Sequence, residues 1–339
     1  MPKKLRLGVV GFGRLGTIHS LNISKSKYAE LFAVCDISPE ARQRADEIFD
    51  IKTCADLSSF FALPLDGVII ATSTSEHLRV IAAAAAAGIS IFTEKPVGLT
   101  LEETDAALKD VLRAGVQFQI GFQRRWDPRY LQAKEIIDRG SIGEPVLIKS
   151  FGRDPNASNP ANWGLGKNGG LFLNAAIHDY DIARFFFGSE ATVITASGAA
   201  LVFKGLNEVG DIDTCSTTIN FNNSQMAITE WSRYATYGYD IGTEIIGTEG
   251  AIRISSEMPG KILVRHKNSD APTLFDVFAD AFRAEIEGFI QSLMQGTPTS
   301  PGIEDARIAL QLALAARESF ENVSLQVTVP PLKPLSTQS

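Results

Sequence analysis

The 339-residue chain has little cysteine, little histidine, no excess of positive charge and no long apolar run, and each shortage removes a class of protein. Its three cysteines, Cys35, Cys54 and Cys215, are an odd number at wide spacing, with Cys35 and Cys54 in apolar, strand-like surroundings. That pattern excludes a disulfide framework and points to a reducing compartment. Lysine and arginine number 32 against 39 aspartates and glutamates, a net charge of −7, and no basic stripe gathers that could neutralise phosphates. Nucleic acid is therefore not an expected partner. The most hydrophobic run, Val80 to Ile89, is mostly alanine and about half the ~20 residues a membrane span needs. The basic start at Lys3 and Lys4 leads into an apolar stretch that ends at a glycine turn, which does not read as a secretory signal. The expectation is a soluble, cytoplasmic chain with no membrane partner. Of only four histidines, His178 lies near Asp179 and Asp181, which is not a recognised ligand spacing, so no metal is expected.

What is present predicts an α/β protein of two domains, since the length exceeds one ordinary core. From residue 4 to about 121, short β-branched runs alternate with helical segments, the pattern of βαβ units and a doubly wound parallel sheet. Leu5 to Val10, Leu31 to Cys35, Gly67 to Ala71, Ser90 to Thr93 and Val116 to Ile120 are continuous apolar runs, as strands covered on both faces require. Ser38 before Pro39 marks one helix start, and Thr100 with Glu103 forms a capping box whose glutamate can return a bond to the N-cap amide. Beyond residue 122 strands follow one another directly: Val146 to Phe151, Thr192 to Val202, Cys215 to Phe221, Met226 to Arg233, Thr243 to Ile246 and Ile262 to His266. That order predicts a large, mostly antiparallel sheet. Amphipathic helices over Val277 to Gln295 and Ile303 to Phe320 close the fold. The expected division is a dinucleotide-binding domain over 1–122, a substrate and oligomerisation domain over 123–330, and a proline-rich tail over 331–339.

Gly11, Gly13 and Gly16 directly follow the first strand and open the first helix, with Phe12, Arg14 and Leu15 between them. Such a loop is weak evidence alone, but its place in a strand–turn–helix gives each glycine a distinct role, respectively a tight turn, close approach to a pyrophosphate, and close helix–sheet packing. Asp36 ends the second strand, where a carboxylate would accept hydrogen bonds from the ribose of an adenosine. A 2′-phosphate would meet that charge, and the next residue is Ile37 rather than an arginine, so NAD is expected over NADP. A dehydrogenase also needs a group to stabilise an alkoxide and a group to take its proton. Lys95 lies at the carboxyl end of the strand that starts at Ser90, the edge where open α/β sheets bind ligands. His178 stands four residues after Asn174, one helical face in a regular helix, and an imidazole suits proton transfer near neutral pH.

The glycine loop, the Glu94-Lys95-Pro96 triplet, the segment from Gly121 to Pro128, the glycine-led helix reaching His178, Tyr237 to Asp240 and Gly247 to Gly250 together resemble the Gfo/Idh/MocA oxidoreductases. Within that family the resemblance is to its inositol 2-dehydrogenases, and it covers nearly the whole chain. It implies a Rossmann domain followed by an α/β domain whose sheet forms an oligomer contact, commonly in tetramers. It implies that Lys95 is the catalytic lysine and His178 the proton-accepting histidine. Thr72, Ser73, His77 and Glu94 would line the dinucleotide, with Lys95 and Pro96 near the nicotinamide. Arg125, Arg153, Asp154 and Tyr237 fall in segments that by similarity face a polyol or sugar. One position departs: Asn174 stands where inositol dehydrogenases generally carry aspartate, and an amide neither takes a proton nor stabilises an imidazolium by charge. The implied activity is NAD-dependent oxidation of a secondary alcohol of a cyclic polyol or pyranose. Action on another pyranose, or a non-catalytic sugar or dinucleotide sensor on the same fold, stays open at this point.

Overall fold

Six short strands, apolar enough to be covered on both faces, form a parallel sheet: β1 Leu5–Val10, β2 Ala29–Cys35, β3 Lys52–Cys54, β4 Gly67–Ile70, β5 Ser90–Glu94 and β6 Phe118–Gly121. Their order across the sheet, β3-β2-β1-β4-β5-β6, is that of a Rossmann fold. The strands are joined by α1 Arg14–Lys25, α2 Pro39–Phe49, α3 Leu57–Phe61, α4 Thr74–Ala86 and α5 Leu101–Ala114. The caps are the ones the residues suggest. Ser38 accepts from the Ala41 amide with Pro39 in the first turn, and Thr100 accepts from the Glu103 amide. The Glu103 carboxylate differs from expectation: it accepts from the Thr100 hydroxyl at 3.0 Å. Strand β3 shows in the sequence only as strand-like surroundings at Cys54, and helix α3 not at all, because three and five residues are too few to establish a period.

This computed structural model, described over residues 4–155, 168–255 and 273–336, divides into two units. The first is discontinuous in sequence: to the residues up to Gln123 it adds Asp280–Arg307 and the segment that begins at Lys333. The reason is apolar burial. Ile286, Phe289 and Ile290, from helix α8 (Leu274–Gln295), are fully buried in the cluster that contains Leu7, Val9, Val34, Ile69 and Phe92 of the parallel sheet.

The second unit takes in Arg124–Ala279 and Ile308–Leu332. Helix α6 (Pro128–Asp138) precedes β7 Pro145–Arg153; α7 (Ile177–Phe187) precedes β8 Ala191–Ala199, β9 Thr214–Phe221, β10 Met226–Ser232, β11 Asp240–Gly247 and β12 Ala251–Ile254. Helix α9 (Ile303–Glu321) and β13 Val327–Thr328 complete the chain order. The seven strands run β12-β11-β7-β10-β9-β8-β13, antiparallel throughout except for the parallel pair β7–β10. Along β9 the side chains alternate, Cys215, Thr217, Ile219 and Phe221 inward and Ser216, Thr218 and Asn220 outward, as one covered face demands. Strand β8 stops at Ala199, short of the expected Val202, because the amides of Leu201, Val202 and Phe203 donate to the Asp213 carboxylate instead of to a neighbouring strand. The expected strand Ile262 to His266 lies outside the described residues. All three cysteines are free and buried, and burial pushes the Cys35 and Cys215 thiols up to about 12. Among the described residues no helix is long and apolar enough to cross a membrane.

Candidate functional site

In the first unit the glycine loop is built as its spacing requires. Gly11 has φ +91°, and a Cβ there would lie 2.7 Å from the Ala71 carbonyl oxygen; at Gly16 it would lie 1.8 Å from the Gly11 oxygen. Gly13, by contrast, is the exposed N-cap of α1 and has open space where its side chain would be. Open space at that point, beside a helix N-terminus with no acidic residue in its first turn, is a cradle for an anionic group. Phe12 is fully buried and meets Phe49 edge-on, so its side chain serves the core; Arg14 is exposed and Leu15 half-buried. A cleft of 620 Å³ is lined by Gly11, Gly13, Asp36, Ile37, Thr72 and Ser73 among others, which brings six of the sequence-derived positions together. The Asp36 carboxylate holds the loop from one side: Oδ2 accepts from the Phe12 amide at 2.7 Å and Oδ1 from the Ser38 amide at 2.8 Å. Each oxygen keeps further acceptor capacity on this partly exposed side chain. Ile37 is 85% exposed.

The ends of β4 and β5 carry the remaining positions of this unit. His77 is not on the cleft surface. It is 1% exposed, with Nδ1 at 2.9 Å from the Pro96 carbonyl oxygen and Nε2 at 3.1 Å from that of Thr72, so it ties the two strand ends together. Burial lowers its pKa, against the opposing pull of those two carbonyls. Glu94 is also buried, its Oε1 at 2.8 Å from Nε2 of His19 on α1, while Lys95 is partly exposed and Pro96 buried.

In the second unit the segment before His178 is not a regular helix. Phe172–Ala176 is a π-helical turn leading into α7, so Asn174 and His178 span a widened turn of the kind that often accompanies functional sites. His178 is 8% exposed and Asn174 half-buried. The residues on either side of the histidine's face anchor it. Asp179, fully buried, accepts from Arg124 at 2.6 Å, from the Ser150 hydroxyl and from the Trp231 indole. Asp181 accepts from Arg125 through two bonds, at 2.9 and 2.6 Å. Burial disfavours the charge on Arg124, but Asp179 together with Tyr130 and Tyr239 outweighs it and the guanidinium pKa is raised. Arg125, expected to face a polyol, thus has two nitrogens on Asp181; Arg153 pairs with Glu230. Asp154 and Tyr237 are half-buried, the Asp154 amide donating to the Ser232 carbonyl. Sequence reasoning missed Arg233. It is 2% exposed, donates to Asp211 at 2.9 Å and reaches the Asn174 side-chain oxygen at 3.5 Å. Its neighbours in sequence gave no cue, since Asp211 and Asn174 lie 22 and 59 residues away.

Comparison with known proteins adds the family. Residues 5–122 match the description "Oxidoreductase family, NAD-binding Rossmann fold", and residues 130–253 match "GFO/IDH/MocA C-terminal domain". The chain belongs to the Gfo/Idh/MocA oxidoreductase family. Among similar members is the scyllo-inositol 2-dehydrogenase (NAD(+)) of Bacillus subtilis (strain 168), 39% identical over 337 residues, 95% of this chain and 96% of the relative. The inositol 2-dehydrogenase of Rhizobium meliloti (strain 1021) is 35% identical over 322 residues, 93% and 96% of the two chains. The crystal structure of scyllo-inositol dehydrogenase from Lactobacillus casei, with bound cofactor NAD(H) and scyllo-inositol, superposes with a TM-score of 0.86 at 32% identity, covering 96% of this chain and 99% of that one. The first unit is accordingly the NAD-binding Rossmann domain of a Gfo/Idh/MocA oxidoreductase. Its own geometry fits that cofactor: an open cradle at Gly13 for the pyrophosphate and a carboxylate, Asp36, where a 2′-phosphate would be repelled.

Proposed function

We propose that this Gfo/Idh/MocA member oxidises a secondary alcohol of an inositol to the corresponding ketone. The observation that carries the reading is similarity along nearly the whole chain to relatives named for NAD-dependent inositol oxidation. NAD supplies the hydride acceptor when bound. The Lys95 ammonium donates to the substrate oxygen and lowers the pKa of the hydroxyl, and His178 takes the proton that leaves. Asn174 orients the hydroxyl by hydrogen bonding, its own oxygen facing Arg233 at 3.5 Å. Arg153, Asp154 and Tyr237 contribute to recognition of the ring hydroxyls, and Arg125 orients the histidine helix through Asp181. The glycine loop with Thr72 and Ser73 holds the dinucleotide. The reduced, buried cysteines support a cytoplasmic setting, and the outward face of the seven-stranded sheet, with Val146 40% exposed, supports assembly into dimers or tetramers.

A panel of inositols and aldopyranoses incubated with NAD is expected to give NADH absorbance with at least one inositol, at a higher kcat/KM than with any pyranose. Absence of signal across the inositols at high enzyme and alkaline pH would sink the proposal. Asp36→Ala tests the cofactor side. Loss of charge-assisted hydrogen bonds worth about 1.5–3 kcal/mol is expected to raise the Kd for NAD by about 10- to 150-fold. Preference for NAD over NADP should fall at the same time. A fluorescence titration that finds both affinities unchanged would reduce Asp36 to an anchor of the loop.

A further inference from the structure

The first unit holds a buried cluster of ionisable groups that the proposed chemistry does not use. His19 on α1, Glu94 at the end of β5 and Glu285 on α8 each bring one nitrogen or carboxyl oxygen to within 4.8 Å of the other two. Exposures are 0%, 6% and 0%. The His19 ring meets the edges of Phe92 and Phe282 at centroid distances of 5.4 and 6.0 Å, so the surroundings are apolar. Glu94 is bonded to His19, but among the described residues neither carboxyl oxygen of Glu285 has a hydrogen-bond partner. Two carboxylates this close and this dry cannot both be charged without a compensating cation or proton. A bound metal is the poorer solution, because a metal-ligating imidazole uses its second nitrogen to donate to an acceptor. Nδ1 of His19 has no partner among the described residues.

We propose that Glu285 keeps a proton at neutral pH, and that this neutral carboxyl group holds Glu94 on His19 and so fixes the strand end that carries Lys95. Glu285 and His19 are thus positioning residues, and their effect on turnover rests on the role proposed for Lys95. The geometry supplies the route: His19 lies on the helix whose first turn carries the glycine cradle, and Glu94 immediately precedes Lys95. Ionisation of Glu285 would set two negative charges against each other in an apolar pocket and displace Glu94 from His19. Among the described residues the ionisable groups facing Glu285 are His19 from α1 and Glu94 from β5; from β6, Gln119 donates to the Glu285 backbone carbonyl at 3.0 Å. Burial, then the charge of Glu94, pushes the Glu285 carboxyl well above the usual range.

A carboxyl group whose neutral form is favoured by the fold adds stability that is complete below the unfolded value of about 4.3 and is lost as pH rises toward the folded value. Glu285→Gln is neutral at every pH and close in shape. Urea denaturation from pH 5 upward is therefore expected to show E285Q gaining on the wild type by up to about tenfold in folding constant per pH unit. Glu285→Leu, whatever its absolute stability, should show the same relative slope. The infrared carbonyl band of a protonated acid should be present in the wild type at neutral pH and missing from E285Q. With NAD and inositol, kcat of the wild type should fall at alkaline pH relative to E285Q, with KM little changed. Parallel stability curves for all three proteins, absence of the band, or a stoichiometric divalent metal in purified protein would each overturn the proposal. The slope and the band need no substrate, so they stand or fall separately from inositol oxidation.

Discussion

Lys95→Ala is expected to lower kcat by about 10²- to 10⁴-fold while leaving the Kd for NAD close to that of the wild type. The separation is expected because the cofactor cradle is formed elsewhere in the first unit, by Gly11, Gly13 and the Asp36 carboxylate that anchors the Phe12 amide. An ammonium that stabilises a developing alkoxide acts mainly in the transition state, so its loss should appear in kcat and in kcat/KM alike. His178→Ala should fall in the same range by removal of the proton acceptor. The two effects should be far from additive in the double variant, since in the proposed reaction both groups serve one proton transfer. Steady-state kinetics with an inositol, alongside fluorescence titration of NAD, reads all of this. Full kcat in either single variant would remove that residue from the reaction.

Asp179→Ala is expected to destabilise the second unit by about 3–5 kcal/mol, measured by urea denaturation. The carboxylate is fully buried and serves three donors at once: a guanidinium that is itself 1% exposed, a hydroxyl and an indole. Removal strands a positive charge and the Trp231 indole N–H in a buried site, while the Ser150 hydroxyl can still turn to the Gly242 carbonyl at 3.3 Å. Arg124→Met is expected to cost less, because the carboxylate keeps the Ser150 and Trp231 donors. The order of the two losses is the test. An equal or smaller loss for D179A would mean that the charge on Arg124 finds compensation elsewhere. The same change should lower turnover, since Asp179 fixes the helix turn that presents His178.

How much of this could be read beforehand depends on the distance over which each feature is determined. The parallel sheet was legible because each βαβ unit is local: an apolar run, a cap such as Ser38, a glycine. Strand β1 was placed to the residue, and β2, β4, β5 and β6 to within a few residues. The antiparallel sheet was legible in kind, but its edges were set by tertiary partners, as where Asp213 withdraws three amides from β8. The site divides in the same way. The glycine loop, Asp36 and Lys95 could be placed on their strand ends from motif and strand position. The ion pairs that hold the histidine helix join residues 55 and 56 apart, and neither spacing nor composition pairs them. For that reason nothing in the sequence paired Arg124 with Asp179 or Arg233 with Asp211, and the π turn at Phe172–Ala176 looked like ordinary helix.

The discontinuity of the first unit bears on how the protein is made. Gln123 and Asp280 are 157 positions apart, and at about 5–20 residues per second a ribosome takes roughly 8–30 s to cover that interval. Throughout it, the face of the parallel sheet destined for Ile286, Phe289 and Ile290 is without its permanent cover. The nascent nucleotide-binding half therefore exposes apolar surface until late in synthesis, and a recombinant fragment cut after its last parallel strand inherits the same bare face.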